Sequence, residues 1–290
     1  DGFDVVLGGS GDDNIDAGTD GSRDVVVGDH GYAFFDAVMG SSLLREIGTS
    51  DAEHGGADTI VTADGFDVVL GGSGGDNIDT GTDASRDVVL GDNGYALFDT
   101  EEVLVEIAST DPSFGGDDDI VVGDGDDIVV AGVGKDYVNV DRESGLPVGT
   151  DNGKDVILGD NGIALFDSVA GASLLRDIRT SDAEHGDDDR IFGADGFDVV
   201  LGGSGGDMID AGTDDSRDVV LGDNGYALFD ENEVLVEIAS ADPSVGGKDT
   251  ITTDNGSDVV LGGVADDLIL AGGDDYAKDY VIGDSGRMTF

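Results

Sequence analysis

Along this chain an aliphatic residue recurs two places after an aspartate, and turn residues separate one such pair from the next. The stretch DGFDVVLGGSGGDNID, residues 64–79, shows the pattern: Asp67 precedes Val69, Asp76 precedes Ile78, and glycines fill the space between. Nearly the same letters begin at Asp1 and at Asp195. So short an alternation predicts very short strands, with Ile78 on one face and Asn77 and Asp79 on the other. The glycines permit tight turns with positive φ. Turn, short strand, turn, short strand predicts a flattened coil. One coil has too little core to stand alone, so its aliphatic residues must be buried against those of the next.

The pattern G-x-D-x-U, with U aliphatic, defines a set of slots. The slot aspartates are Asp4, Asp13, Asp24, Asp58, Asp67, Asp76, Asp87, Asp118, Asp127, Asp136, Asp155, Asp189, Asp198, Asp207, Asp218, Asp249, Asp258, Asp267 and Asp279, each with Val or Ile two residues on. Five further slots lose the acid and hold Ala33, Ala96, Ala164, Ala227 and Met288, followed two residues on by Phe35, Phe98, Phe166, Phe229 and Phe290. The second position after every slot is therefore apolar and is expected in the core.

A longer period lies above this one. Residues 64–123 and 195–254 agree at 48 of 60 positions. A single repeat solenoid is expected, with units 1–63, 64–123, 124–194, 195–254 and a partial 255–290. Odd units carry SSLLREI or ASLLRDI (Ser41–Ile47, Ala172–Ile178), even units carry EVLVEIAS (Glu102–Ser109, Glu233–Ser240), and the third unit has an eight-residue insertion near Val140–Gly153. The inserted segments, such as Tyr95–Ser109, alternate as strands and read as hairpin-like ears, with a wider half-coil as the other possibility. A helix competes for SSLLREI, but its counterpart EVLVEIAS is too β-branched for one.

Charge changes the picture. There are 66 acids against 13 bases, a formal charge of −53. That excludes nucleic acid and anionic membranes as natural partners, since both are polyanions. No apolar window is long enough for a membrane-spanning helix. Coils of a sheet lie about 4.8 Å apart, so equivalent aspartates form columns of like charge that only a bridging cation makes tolerable. Asp58 is expected to stack on Asp76, Asp118 on Asp136, Asp189 on Asp207 and Asp249 on Asp267. The other edge pairs Asp4 with Asp24, Asp67 with Asp87, Asp127 with Asp155, Asp198 with Asp218 and Asp258 with Asp279. Counting inserted segments as half-coils places the alanine slots within the first column, as interruptions, and predicts about 14 coils and a rod roughly 65–70 Å long. Carboxylates and turn carbonyls are hard oxygen ligands that suit Ca²⁺. Zinc is disfavoured by the absence of cysteine and by only three histidines.

At this point the sequence resembles a known family. GGSGDDNID (Gly8–Asp16), GGSGGDNID (Gly71–Asp79) and GGSGGDMID (Gly202–Asp210) fit the nonapeptide G-G-x-G-x-D-x-U-x of repeats-in-toxin (RTX) proteins letter for letter. The resemblance covers nearly the whole chain. It implies an all-β, right-handed parallel β-roll with calcium held in the turns, and secretion into a calcium-rich extracellular medium. It also implies that the slot aspartates are side-chain ligands, turn carbonyls supplying the rest. The departures are the alanine slots, the long inserted segments and the GDNG turns. In those turns Asp29, Asp92, Asp160, Asp223 and Asp284 either replace a missing ligand or cap the turn.

Other motifs are weaker. Gly71–Gly75 and Gly202–Gly206 match the G-x-S-x-G nucleophile elbow, but no helix pattern follows Ser73 or Ser204. His54 and His185 repeat in DAEHG as solvated loop residues, and His30 reads as a variant of the GDNG asparagine. Seven bases stand directly before a slot aspartate (Arg23, Arg86, Lys135, Lys154, Arg217, Lys248 and Lys278), as partial neutralisers of the columns or as plain surface positions. The EVLVEI strands serve structure or a partner-binding edge.

The sequence therefore points to a non-catalytic, calcium-stabilised rod, a segment of an extracellular or cell-surface filament or adhesin stalk. Further repeats, or copies of the chain stacked end to end, are the expected partners. The alternatives are a calcium-binding secretion and folding module attached to a larger secreted enzyme or toxin, and a recognition surface.

Overall fold

The computed structural model describes residues 2–38, 41–149, 151–273 and 276–290. Asp1, the first letter of the first unit, and Thr150 of the insertion lie outside the described residues. The described chain is all β apart from two short 3-10 turns, Ala52–His54 and Ala183–His185. It winds back and forth between two parallel sheets. One has ten strands: Val5–Leu7, Val25–Val27, Val68–Leu70, Val88–Leu90, Ile128–Gly132, Val156–Asp160, Val199–Gly203, Val219–Asp223, Val259–Leu261 and Tyr280–Ile282. The other has nine: Asn14–Asp16, Thr59–Val61, Asn77–Asp79, Asp119–Val121, Tyr137–Val138, Arg190–Phe192, Met208–Asp210, Thr250–Asp254 and Leu268–Ala271. Equivalent letters sit in register, Val69 on Val89 and Ile60 on Ile78. This is a β-roll.

The residue two places after a slot aspartate fills the space between these sheets, except Val281 on the last strand, which is exposed. Ile15, Val26, Ile60, Val69, Ile78, Val89, Ile120 and their later equivalents make one continuous buried cluster. Those neighbours stack coil on coil, so no single repeat holds a closed core of its own.

The inserted segments are hairpins, and they do not protrude. Gly31–Val38 pairs with Ser41–Thr49, Gly94–Phe98 with Leu104–Ser109, Gly162–Val169 with Ala172–Thr180, and Gly225–Phe229 with Leu235–Ser240. Each hairpin also pairs with the next, and Arg287–Thr289 adds a ninth strand. The result is a continuous antiparallel sheet lying over the outer face of the ten-stranded sheet. Its apolar side meets Val25, Val27, Val68, Leu70, Val88 and Leu90 and their equivalents in a second buried cluster. The ten-stranded sheet is thus covered on both faces, and its strands read as unbroken apolar runs for that reason.

Several expectations are corrected by this layer. The alanine slots leave both aspartate columns and enter the hairpin sheet, so they interrupt neither column. Across that sheet Ala33, Ile47, Ala96, Ile107, Ala164, Ile178, Ala227, Ile238 and Met288 stand opposite one another in a single row. Small and large side chains alternate, which lets the row pack against the valines and leucines beneath. Phe98, Phe166 and Phe229 are buried in this second core rather than inside the roll, and Phe290 at the last strand is 49% exposed. SSLLREI is a strand, not a helix. The EVLVEI strands lie inside the hairpin sheet, each with a neighbour on both sides. Because hairpins take no place in the stack, ten strands replace the expected fourteen coils, and the roll is about 45 Å long.

Candidate metal centre

Each slot aspartate opens a short strand at one edge of the roll, so the coil repeat places the acids in two columns. One runs Asp4, Asp24, Asp67, Asp87, Asp127, Asp155, Asp198, Asp218, Asp258, Asp279. The other runs Asp13, Asp58, Asp76, Asp118, Asp136, Asp189, Asp207, Asp249, Asp267. All the stacked pairs expected from sequence occur, and the columns continue between them without a break.

A single contact repeats along both. The Oδ1 atom of each aspartate accepts the backbone N–H of the aspartate one coil earlier, at 2.6 Å for Asp24 to Asp67, 2.7 Å for Asp58 to Asp76 and 3.3 Å at the Asp258 to Asp279 end. The other oxygen, Oδ2, is buried with no hydrogen-bond partner in Asp13, Asp58, Asp67, Asp76, Asp118, Asp127, Asp136, Asp155, Asp189, Asp198, Asp207, Asp249 and Asp267. In the second column that oxygen lies beside the glycine that ends the preceding strand of the roll. A Cβ on Gly28 would stand 2.2 Å from Asp58 Oδ2 and 2.5 Å from the carbonyl oxygen of Gly71; a Cβ on Gly91 would stand 2.2 Å from Asp118 Oδ2 and 2.3 Å from that of Ala131. Glycine at these turns keeps open the place where carboxylate and carbonyl oxygens approach.

Electrostatics follow from the burial. Desolvation raises the carboxyls from their ordinary 3.8 to about 6 for Asp58, about 7 for Asp67, about 8 for Asp76 and about 9 for Asp87. It pushes Asp118, Asp136, Asp155, Asp189 and Asp207 well above that value, and nearby carboxylates add to the effect in each case. Toward the ends Asp4, Asp13, Asp267 and Asp279 are only half-buried. A column of this kind is stable only with its acids protonated or with cations among them. Unpartnered buried oxygens, glycine-lined space and an all-oxygen donor set fit a hard cation such as Ca²⁺.

The GDNG aspartates stand outside both columns, at the turns between coils. Asp29 accepts Gly56 N–H on Oδ1 at 3.0 Å and Ser73 N–H on Oδ2 at 2.6 Å. Asp92 takes Gly116 at 3.1 Å and Val133, and Asp223 takes Gly247 at 2.8 Å and Val264. Asp160 accepts from Ser204. These carboxylates tie turns of successive coils together, as caps do. Asp284 is exposed on the last coil.

Four of the seven bases before the slots pair with acids outside the columns: Arg23 with Glu102, Arg86 with Asp126, Lys135 with Asp188 and Lys154 with Glu233. The Ser73 hydroxyl donates to the Ala52 carbonyl at 2.7 Å, and that of Ser204 to Ala183 at 2.5 Å, so both serines of the elbow-like motif hold turns. His54 is exposed.

One acid that slot counting passes over is Asp151, at the end of the insertion. It is 5% exposed, and its ligand atoms and those of Asp127 and Asp155 all lie within 4.8 Å of one another. Its signal in the sequence is its position four residues before a slot, shared with Asp20, Asp83 and Asp214. Neither the search of family models nor that of curated proteins finds a match to this chain.

Proposed function

We propose that this chain is a calcium-stabilised structural rod, a segment of an extracellular or cell-surface filament or adhesin stalk, with no catalytic role. The observation that carries the reading is the pair of unbroken aspartate columns, buried and half-satisfied, running the length of the roll. The letter-for-letter likeness of the turns to RTX nonapeptides supports calcium as the ion and the extracellular medium as its source. The slot aspartates would hold the ions through Oδ2 together with turn carbonyls. Calcium, when bound, would supply the positive charge that lets these acids stay ionised while buried. The protein's own part is to fix their spacing through the Oδ1 to amide ladder.

A rod role accords with the absence of closed units, since every coil relies on its neighbours. The outermost strands leave Val5 and Leu7 at one end, and Leu268, Leu270 and Val281 at the other, 45–50% exposed. Further repeats or another copy would continue both sheets, and head-to-tail addition of that kind gives a fibre rather than a closed ring. Far-UV circular dichroism with and without excess chelator, at low salt and neutral pH, tests the reading. The β signal should collapse on calcium removal and return on addition, because binding energy is folding energy here. A β spectrum unchanged by chelation would overturn it.

A further inference from the structure

The insertion of the third unit builds something the other units lack. Its chain turns back on itself through a bridge between Val140 and Pro147 and returns to the roll at Val148, whose N–H donates to the Asn139 carbonyl at 2.8 Å. It then delivers Asp151 onto the column beside Asp127 and Asp155. The Oδ1 atoms of all three are engaged: Asp127 takes the amide of Asp87 at 2.7 Å, Asp155 that of Asp127 at 2.9 Å, and Asp151 that of Gly153 at 2.8 Å. The Oδ2 atoms of all three are buried with no donor bonded to them, and the carboxyls of Asp151 and Asp155 face each other closely enough to share a proton when no cation separates them. Lys154, beside Asp155 in the chain, is paired with Glu233, and Arg86, whose charge acts on Asp127, is paired with Asp126.

Corresponding acids in other units show what differs. Asp83 and Asp214 also cap their turns through Oδ1, but there a serine two residues on satisfies the second oxygen, Ser85 Oγ at 2.9 Å and Ser216 Oγ at 2.6 Å. Both acids are half-exposed, open to water as well. In the third unit glycine replaces that serine. A Cβ on Gly153 would fall 1.3 Å from the Gly125 carbonyl oxygen, so no side chain fits there and the hydroxyl donor of the other units is absent. Three buried carboxylates thus converge, with ligand atoms within 4.8 Å of one another and no hydroxyl donor among them.

We propose that Asp127, Asp151 and Asp155 form a discrete site for a hard divalent cation, Asp151 lying outside the nonapeptide pattern, and that it binds Ca²⁺ more tightly than the column slots. The added carboxylate raises the charge facing the ion, and ligand charge tunes calcium affinity. The inference rests on the reading above for the identity of the ion. Its consequence is that the third unit fills first and anchors the folding of its neighbours.

The test uses the full chain, freed of metal by chelator and dialysed against stepwise calcium, with bound calcium counted per chain. Asp151→Asn keeps the turn acceptor for the Gly153 amide and removes the charge. It should lose one ion per chain and weaken the tightest binding step by about tenfold or more. Asp83→Asn should lose none. Wild-type Mn²⁺ loading, followed by electron spin resonance, gives a measurement that needs no variant: the first equivalent should show one uniform site. An Asp151→Asn chain with the wild-type ion count and tightest step, or a first Mn²⁺ equivalent spread over many equal sites, would overturn this site and leave the rod standing. A wild-type chain that binds no calcium would sink both.

Discussion

The two parallel sheets are wound from the same slots, yet one is buried on both faces and the other on one. In Val88-Val89-Leu90 of the ten-stranded sheet all three side chains are buried; in Asn77-Ile78-Asp79 of the nine-stranded sheet only Ile78 is. The middle residue does the same work in both, filling the roll. The flanking residues decide whether a third layer is present. Where they are Val and Leu, the hairpin sheet covers them; where they are Asn, Thr and Asp, the strand faces water. The roll itself is thus generic, and the hairpin layer is the particular feature of this chain. Its antiparallel pairing gives the long axis a second continuous ladder of backbone hydrogen bonds beside the parallel ones.

The largest test asks whether that third layer can hold the molecule without help at the acid columns. The carboxyls are raised in the folded state, so the metal-free fold binds more protons than the unfolded chain. Its stability is therefore fully present below about pH 4, near the ordinary 3.8, and is lost as pH rises through the folded values of about 6 for Asp58 to about 9 for Asp87 and Asp198. In chelator the chain should show its β spectrum at pH 4 and lose it by pH 8. With excess calcium the order reverses, because protons then compete with the ion and acid releases it. Equal stability at both pH values in chelator would mean that the hairpin layer suffices.

A swap at equivalent positions breaks the comparison directly. Val88 and Asn77 each stand one residue after a slot aspartate. Val88→Asn places an amide between two sheets with no partner and should cost about 3 kcal/mol or more. Asn77→Val lies on the water-facing side and should change stability by about 0.5 kcal/mol or less. Urea unfolding of both variants in saturating calcium reads the difference. Comparable losses would show that the outer sheet is covered in solution as well.

The alternating row of the hairpin sheet gives a smaller effect. Ala164 is fully buried between Ile107 and Ile178, above the valines of the ten-stranded sheet. Ala164→Leu overfills that place and should destabilise by about 1–3 kcal/mol in the same assay. A neutral result would mean that the layers slide apart easily and that alanine is there for some other reason.

How much of this was legible in the letters follows from range. The slot is a nine-residue device, so Asp76, Ile78 and the glycines between them identify the turn, the strand and the inward residue, and offsets alone give which aspartates stack. The third layer depends on contacts far apart in sequence. Its trace was present in the flanks, VVL against NID, but these carry meaning only once two sheets with different environments are in view. Counting hairpins as half-coils lengthened the rod and put Ala96 and Ala164 into a column they never enter. Asp151 was passed over because its burial beside Asp127 and Asp155 comes only once the insertion folds back, with glycine where other units keep serine. Spacing alone makes it one more turn acid.

The smallest effect concerns how the hairpin layer is fastened to the roll. Glu102, at the tip of the second hairpin, has a left-handed backbone (φ 61°) that points its carboxylate back toward the first unit. Its Oε1 accepts from Arg23 and from the Leu44 amide, both at 2.5 Å. Glu233 repeats the arrangement one long period later with Lys154 and with Leu175, the latter at 2.6 Å. Each clamp joins a base of the roll, a hairpin tip and the neighbouring hairpin strand. Both partners of the first are about one-fifth exposed, so solvent screens the pair only in part. Glu102→Ala keeps the backbone without a glycine's freedom and leaves the Arg23 guanidinium and the Leu44 amide without this acceptor. The expected loss is about 1–2 kcal/mol. The two clamps share no partner, so Glu102→Ala and Glu233→Ala should add within about 0.5 kcal/mol in the double variant. A double loss well beyond the sum would mean that the hairpin sheet peels off as one cooperative unit, and that its hold on the ten-stranded sheet depends on its edges more than on the apolar row between them.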